Sequence, residues 1–310
     1  MKHLISSSIY DQVVGTNFPE SIEGVELLTG YNSIPESFFR NKVVSVHLPY
    51  SIDWYSAWSG NKKIPKEISD DNIKYIFYGR DKEDIIYNLH SAFRLASTLN
   101  PKYGVLHVGN VSISEVLKPT YSDSDDKILS AFIEVVNSVI ALFPSPEPPF
   151  RILFENQWWP GLRMLDNTNY KTLCNKIEFE NWGLCFDTGH LLVAKKGART
   201  EGQAIDILEN VIDKFSDDVL KSIMTVHLHV NTCYDYLKNY KAPHVEDMPV
   251  TELVNLAYNH VCQMDQHRPF TTKRVSNLVR RLNPDYVTHE MGASNYEQKI
   301  NDCISQISIL

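Results

Sequence analysis

The sequence has few cysteines, no excess of basic residues and no long apolar run. Its 310 residues include five cysteines with no Cys-x-x-Cys pair, a pattern typical of reduced intracellular thiols. The formal net charge of −8 argues against a broad nucleic-acid surface, although a local basic cleft stays compatible with it. No apolar run approaches the roughly 18 residues of a membrane helix, and residues 1–8 are too short and polar for a signal peptide. We therefore expect a cytoplasmic protein with no membrane partner.

Eight short apolar segments alternate with amphipathic segments along the chain. The predicted strands cover residues 3–9, 23–29, 43–48, 103–108, 151–155, 183–187, 223–229 and 285–290. Most are runs of Val, Ile, Leu and Phe, as expected for parallel strands buried on both faces. Apolar residues recur at helical spacing in 84–96, 125–143, 203–220, 250–265, 272–282 and 295–308. This order predicts an α/β fold, a (β/α)8 TIM barrel in which residues 1–310 form a single domain.

Three long segments each follow a predicted strand, at residues 49–82, 109–124 and 230–249. Loops in these positions lie at the C-terminal face of a barrel, where barrel enzymes build their active sites. Trp54 and Trp158 are candidates for apolar walls that stack on a substrate, although ordinary packing over the barrel mouth explains each of them equally well.

Ligand-type residues stand at or near the ends of six predicted strands. They are His47, His107, Glu155, Asp187, His227 and Glu290. Carboxylate oxygen and imidazole nitrogen are the ligands that divalent first-row metals prefer. Polar residues that cap the barrel or pair with one another are the alternative for any single position. The recurrence of the pattern favours a metal site.

Four further histidines lie near these strand ends or in the loops. His190 follows Asp187 by three residues, so it is expected on the first turn beyond the strand and within reach of the same cavity. His229, two residues after His227, is either a ligand or a substrate contact, and a hydrogen-bonded histidine at the rim of the barrel is an equally good interpretation. His244 lies in a loop, and His289 is expected to face the helix layer.

The motifs resemble those of the xylose-isomerase-like TIM-barrel superfamily, which includes sugar isomerases, sugar epimerases and endonuclease IV-type nucleases. The resemblance rests on Phe154-Glu155-Asn156, Phe186-Asp187-Thr188-Gly189-His190, Val226-His227-Leu228-His229 and Glu290. In the epimerase branch a Glu, Asp, His, Glu quartet binds one divalent ion, often manganese, and the two glutamates move a substrate proton. The resemblance therefore implies a quartet of Glu155, Asp187, His227 and Glu290, with Glu155 and Glu290 catalytic.

The endonuclease branch adds ligands for a trinuclear zinc cluster. The resemblance assigns His47, His107 and Glu155 to one ion, the quartet to a second, and His190 with an Asp-x-His pair after the seventh strand to a third. Here Ala242-Pro243-His244 supplies the histidine and lacks the aspartate, for which Glu246, Asp247 or His229 are candidate replacements. We expect one to three Mn²⁺ or Zn²⁺ ions.

Three functions stay open at this stage. The leading hypothesis is a metal-dependent isomerase or epimerase of a sugar or sugar phosphate, acting through a metal-stabilised enediolate. The alternative is hydrolysis of a phosphodiester at a multinuclear zinc site, as in apurinic-site endonucleases. A metal-binding barrel without catalysis, or one used for iron-dependent oxidation, is the third class. A small-molecule substrate is expected, and the acidic charge and weakly basic loops disfavour nucleic acid.

Overall fold

Eight parallel strands close into a barrel in chain order, with the last strand paired to the first. The computed structural model describes residues 1–8, 18–31, 34, 40–61, 64, 68–246, 248–293 and 295–310. The strands are β1 Lys2–Ser8, β2 Gly24–Leu28, β3 Val43–His47, β4 Tyr103–His107, β5 Arg151–Glu155, β6 Trp182–Asp187, β7 Ile223–His227 and β8 Tyr286–His289. The predicted (β/α)8 TIM-barrel fold is confirmed.

Thirteen α-helices are present in the described ranges. They are α1 Trp54–Ser59, α2 Asp70–Phe77, α3 Lys82–Ser97, α4 Ile113–Val116, α5 Asp125–Ile140, α6 Thr168–Lys176, α7 Thr188–Ala194, α8 Glu201–Ile212, α9 Asp217–Ser222, α10 Tyr234–Asn239, α11 Val250–Met264, α12 Val275–Leu282 and α13 Tyr296–Ile307. None of these helices is long and apolar enough to cross a membrane.

The strand bounds agree with the predicted segments to within a few residues. The seventh strand ends at His227 and the eighth at His289, so His229 and Glu290 lie just beyond their strands. The predicted helix 203–220 is two helices, α8 and α9, separated by a turn. Residue 9, the predicted end of the first strand, lies outside the described residues.

Side chains of the strands alternate between the barrel interior and the outer helix layer. Inside the barrel a small apolar cluster is formed by Leu4, Tyr103, Val105, Leu153 and Cys185. On the outside, the apolar residues that pack against the helices include Val46, Leu106, Phe154, Phe186 and Val226. Because this alternation has a period of two, Glu155 faces inward with Leu153, and Asp187 faces inward with Cys185. The core therefore ends, at the mouth of the barrel, in a layer of polar side chains.

Candidate metal centre

The strand ends bring six of the predicted ligands together at the C-terminal mouth of the barrel. They are His47, His107, Glu155, Asp187, His227 and Glu290. Each stands at the last residue of its strand or directly after it. Parallel strands that close a barrel end at the same rim, so residues far apart in sequence meet there.

Glu155 lies at the middle of this group and is completely buried. Its Oε2 atom is 3.1 Å from Nε2 of His47 and 3.1 Å from Nε2 of His107. Its Oε1 atom is 3.2 Å from Nδ1 of His190 and 3.4 Å from Nδ1 of His227. One carboxylate thus faces four imidazoles, and its two oxygens would be available to hold metal ions together with these rings.

Backbone carbonyls orient two of these imidazoles. His47 Nδ1 lies 2.9 Å from the carbonyl oxygen of Leu48, and His190 Nδ1 lies 2.9 Å from that of Asn156. Assigning the ring proton to Nδ1, as a carbonyl acceptor requires, makes Nε2 of each ring the nitrogen that would bind a metal; it faces Glu155 in His47 and Asp265 in His190. A hydrogen bond of this kind holds a metal-binding histidine in its tautomer and orientation.

Asp187 joins the strand end to the first turn of α7. Its Oδ1 atom accepts a hydrogen bond from the backbone N–H of His190 at 2.6 Å, which caps the helix. Its Oδ2 atom lies 3.1 Å from Nε2 of His229 and 3.7 Å from Nδ1 of His227. Gly189 makes this approach possible, because a Cβ there would lie 1.9 Å from Cε1 of His229.

His229 is completely buried beneath the rim of the barrel. Besides its contact with Asp187, it lies 3.6 Å from Glu290 through Nε2 and 3.8 Å from Asp265 through Nδ1. This position among carboxylates fits both a metal ligand and the hydrogen-bonded histidine that the sequence also allowed.

Asp265 and His267 form an Asp-x-His pair at the mouth of the barrel. They follow α11, and Asp265 Oδ2 lies 3.5 Å from Nε2 of His190 and 3.3 Å from Nε2 of His267. His267 Nε2 is also 3.6 Å from Oε2 of Glu290. The sequence contains this pair as Asp265-Gln266-His267, after a helix and outside the loop at residues 230–249 where the pair was expected.

The structure does not place His244 at the metal centre. Its side chain is 77% exposed, and its carboxylate neighbour is the equally exposed Glu246, 3.8 Å away. The physical reason is that its loop runs through solvent, whereas Asp265 and His267 lie on a loop that an antiparallel bridge between Val230 and Arg268 pins to the barrel mouth. Asp247, the other candidate replacement, lies outside the described residues.

Glu26 is a further candidate site residue that the sequence did not single out. It lies in the middle of β2, is 1% exposed, and brings Oε1 to 2.7 Å from Nε2 of His227. Its Oε2 atom accepts hydrogen bonds from the hydroxyls of Ser45 and Thr288. With Nε2 of His227 facing Glu26, the Nδ1 atom faces Glu155 and Glu290. The signal in the sequence was a lone carboxylate within an otherwise apolar strand.

Glu26→Gln is expected to weaken metal binding about 10- to 100-fold, the usual effect of removing a carboxylate that orients a metal-binding histidine. The amide carries no charge, so the close contact with Nε2 of His227 is weakened and His227 is less basic and less firmly oriented. Competition with a chromophoric zinc chelator measures the affinity. Glu134→Gln, an exposed change on α5, is the control. Equal affinities of the two variants would remove Glu26 from this role.

The electrostatics of the centre favour a bound cation. Burial opposes ionisation of Glu155, but the imidazoles of His107 and His227 outweigh it and lower its pKa well below the usual range. For His227 burial opposes protonation, yet Cys185 and the carboxylates of Glu290, Glu26 and Glu155 raise its pKa. Burial dominates at His107 and lowers its pKa to about 4. A site built from buried carboxylates needs positive charge, which imidazolium or a metal ion can supply.

Several buried polar atoms at the centre have no hydrogen-bond partner within the described residues. They include Oε1 of Glu155, Nδ1 of His227 and Nδ1 of His229. Groups of three ligand atoms lie within 4.8 Å of one another, and one of these groups adds Cys185 to Glu155 and His227. Unsatisfied nitrogen and oxygen lone pairs that converge are suited to zinc or manganese. The residues present therefore fit one or more divalent ions.

A cavity of about 270 Å³ opens above these ligands and connects them to solvent. Trp158 lines it, as the sequence suggested, and its ring lies 4.7 Å from that of His190. Tyr50 forms part of the opposite wall, where its ring stacks on His107 with centroids 4.5 Å apart. The cavity thus has a floor of metal ligands and aromatic walls, a form suited to a compact substrate.

Trp54 does not line this cavity. It is 1% exposed, its indole N–H donates a hydrogen bond to the carbonyl oxygen of Gly109 at 2.9 Å, and its ring packs edge-on against Phe132 of α5. The predicted substrate contact is therefore not supported, because the indole turns toward the outer helix layer and tethers the loop after β4.

Trp54→Phe is expected to lower the free energy of unfolding by about 1–3 kcal/mol, from one lost hydrogen bond and a small cavity. Turnover per folded molecule should not change, since the ring does not reach the metal centre. Urea denaturation and activity of the folded fraction measure the two effects. Trp158→Phe is the matched comparison, and it should alter activity. A loss of turnover in Trp54→Phe at unchanged stability would return Trp54 to the substrate site.

Comparison with known proteins supports the fold alone. No protein-family model and no curated protein sequence matches the chain. A solved D-tagatose 3-epimerase-like protein is similar at 15% identity and a TM-score of 0.52, over 100% of this chain and 95% of that chain. The IOLI protein, solved with a zinc atom, is similar at 12% identity and a TM-score of 0.53, over 100% and 98%.

A third similar structure is a candidate xylose isomerase from Rhodospirillum rubrum ATCC 11170. It has 12% identity and a TM-score of 0.52, over 93% of this chain and 88% of that chain. At these identities the common feature is the path of the backbone, and residue roles have to be argued from the site itself. The chain therefore has the fold of the xylose-isomerase-like TIM barrels.

Proposed function

We propose that the protein is a metal-dependent hydrolase of phosphoesters with a multinuclear zinc centre. The observation that carries this proposal is the position of Asp265 and His267, which meet His190 and Glu290 at the mouth of the barrel. An isomerase that uses one ion has no need of this pair, nor of His47 and His107. The missing aspartate was the main argument from the ligand set against hydrolysis, and Asp265 removes it.

The residues divide into three neighbouring ligand groups. We assign the first ion to His47, His107 and Glu155, whose ligand atoms lie within 4.8 Å of one another. The second would be held by Glu155, Asp187, His227 and Glu290, in which Nδ1 of His227 lies 3.4, 3.7 and 3.2 Å from the three carboxylates. The third would be held by His190 and His267, which each approach Asp265, at 3.5 and 3.3 Å. His229 lies between the second and third groups and can complete either. When bound, zinc ions activate water at neutral pH and offset the charge that develops on phosphoryl and leaving oxygens.

The protein's own residues prepare the centre for this chemistry. Glu155 faces two ligand groups and so keeps them at a fixed separation. Glu26 and the backbone carbonyls of Leu48 and Asn156 fix which imidazole nitrogens face the cavity. Tyr50 and Trp158 line the cavity above the centre and give it aromatic walls.

Epimerisation of a sugar is the second candidate, and one geometric observation favours it. Glu155 Oε1 and Glu290 Oε1 lie 3.4 and 3.2 Å from Nδ1 of His227, so the two glutamates flank one position. Two carboxylates placed in this way can take a proton from one face of a substrate carbon and return it to the other. In this function the quartet holds a single ion.

Metal analysis and two assays discriminate between the candidates. Protein purified without chelator should contain two or three zinc ions per chain, and it should cleave bis(4-nitrophenyl) phosphate or an abasic-site duplex. One manganese ion per chain, incorporation of solvent deuterium into a sugar and no phosphoester cleavage would overturn the hydrolase proposal. They would favour epimerisation instead. In that case Glu290→Gln should abolish the deuterium exchange.

A further inference from the structure

A second cavity, here called the lateral pocket, lies beside the metal centre. It has a volume of about 510 Å³ and is enclosed by the loops after β4 and β5 and by α7, α10 and α11. Trp158 borders both the lateral pocket and the central cavity, and its ring contacts that of His190. A pocket of this size accommodates a small organic ligand, and none of the metal ligands lines it.

The lateral pocket has flat aromatic walls. They are formed by Tyr121, Trp158, Tyr234, Tyr240 and His260. The rings of Tyr240 and His260 stack with centroids 4.0 Å apart, and the hydroxyl of Tyr236 lies 2.7 Å from Nδ1 of His260. Burial lowers the pKa of His260 to about 4, so the ring is neutral at neutral pH. Uncharged aromatic faces of this kind stack on planar rings, including nucleobases.

The lateral pocket is also lined by four cations and by no carboxylate. The cations are Lys118, Arg163, Lys196 and Lys238. Within the described ranges none of them lies in salt-bridge distance of an acidic side chain. The chain as a whole has a net charge of −8, so this group of four cations differs in sign from the net charge of the protein.

Arg163 is the innermost of these cations. Its Nη2 atom donates a hydrogen bond to the carbonyl oxygen of Ala194 at 3.2 Å, which holds the side chain in place. Its Nε atom is buried and has no hydrogen-bond partner among the described residues, and neither has the indole nitrogen of Trp158. A fixed guanidinium with a free donor is suited to phosphate.

We propose that the lateral pocket binds a mononucleotide, with the base against the aromatic walls and the phosphate at Arg163 and the lysines. The two kinds of wall require a ligand that joins a planar ring to an anionic group. A sugar phosphate lacks the planar aromatic ring, and a nucleoside lacks the anionic group. The metal ligands take no part, so the proposal holds whether or not the metal centre hydrolyses phosphoesters.

Isothermal titration calorimetry of the metal-loaded protein with AMP tests the proposal. AMP should bind at one site per chain and about tenfold or more tightly than either adenosine or ribose 5-phosphate, because each lacks one half of the interaction. Arg163→Met should weaken AMP binding about tenfold or more. Arg94→Met, an exposed arginine on α3, is the matched control and should bind AMP unchanged.

The variant Glu155→Gln shows whether AMP binds in the lateral pocket or at the metal centre. AMP affinity that survives in Glu155→Gln and falls in Arg163→Met supports the proposal. Affinity that falls in Glu155→Gln and is unchanged in Arg163→Met places the phosphate at the metal centre and overturns it, as does the absence of AMP binding. If Arg163→Met does not fold, the double variant Lys118→Gln/Lys238→Gln decides, since it changes exposed side chains only. Unchanged AMP affinity in that variant overturns the proposal.

Discussion

Glu155→Gln is expected to abolish phosphoester hydrolysis and to leave the purified protein with fewer metal ions. Glu155 is the residue whose two oxygens face both the His47–His107 pair and His227, so its loss affects two ion positions at once. A neutral amide offers a single weaker acceptor and carries no charge to balance the metal. Losing several kcal/mol of transition-state stabilisation corresponds to a fall in turnover of roughly 10³-fold.

Two measurements check this prediction. Elemental analysis of metal content and the rate of bis(4-nitrophenyl) phosphate cleavage are recorded on the same preparation, with circular dichroism to verify the fold. Glu134→Gln makes the same chemical change at an exposed position and should retain both metal and activity. A Glu155→Gln protein with full metal content and normal turnover would exclude Glu155 as a bridging ligand.

The barrel and most of the candidate metal ligands could be predicted because β3 to β7 each end at a candidate ligand and Glu290 directly follows β8. Alternation of side chains along a strand places Glu155 and Asp187 on the inner face without any knowledge of tertiary structure. The same local rule predicts that His289 faces outward, where it hydrogen bonds to Gln306 of α13. These inferences depend on spacing within a few residues, which a sequence displays directly.

Asp265 and His267 could not be located by that rule, because they follow a helix. In the sequence, α11 has the same apolar spacing as a helix of the outer layer. In the structure it packs against α4 and α10 at the barrel mouth, while α12 takes the place in the outer layer beside α8. Choosing between two amphipathic helices requires tertiary contacts, and that choice decides which loop reaches the metal centre.

Glu26 and Trp54 show the same limit for single side chains. Glu26 lies in mid-strand, and its role depends on His227, which is about 200 residues away in sequence and adjacent across the barrel. Trp54 lies in a loop at the active-site face, but the direction of its indole is set by Gly109 and Phe132. A residue of the site has to lie at the C-terminal end of the barrel, but a residue that lies there need not belong to the site.

Asp265→Asn is the change that most directly separates a multinuclear hydrolase from a single-ion isomerase. The amide keeps the size of the carboxylate and can still accept the hydrogen bond that Asn231 donates to Oδ1 at 3.0 Å, so the loop should stay folded. It removes the negative charge beside His190 and His267. We expect the loss of one metal ion per chain and a fall in hydrolysis of about 10²-fold.

The remaining ions should stay bound in Asp265→Asn, because Glu155, Asp187 and His227 are unchanged. Metal analysis should therefore find one ion fewer per chain in Asp265→Asn than in the unmodified protein. The loss of metal should be larger in Glu155→Gln. Asp285→Asn, an exposed change at the opposite end of the barrel, controls for the loss of one charge. If the centre holds one ion in the quartet, Asp265→Asn leaves the metal content at one. That result, with intact turnover of a sugar, would favour the epimerase, since only the third ion position depends on Asp265.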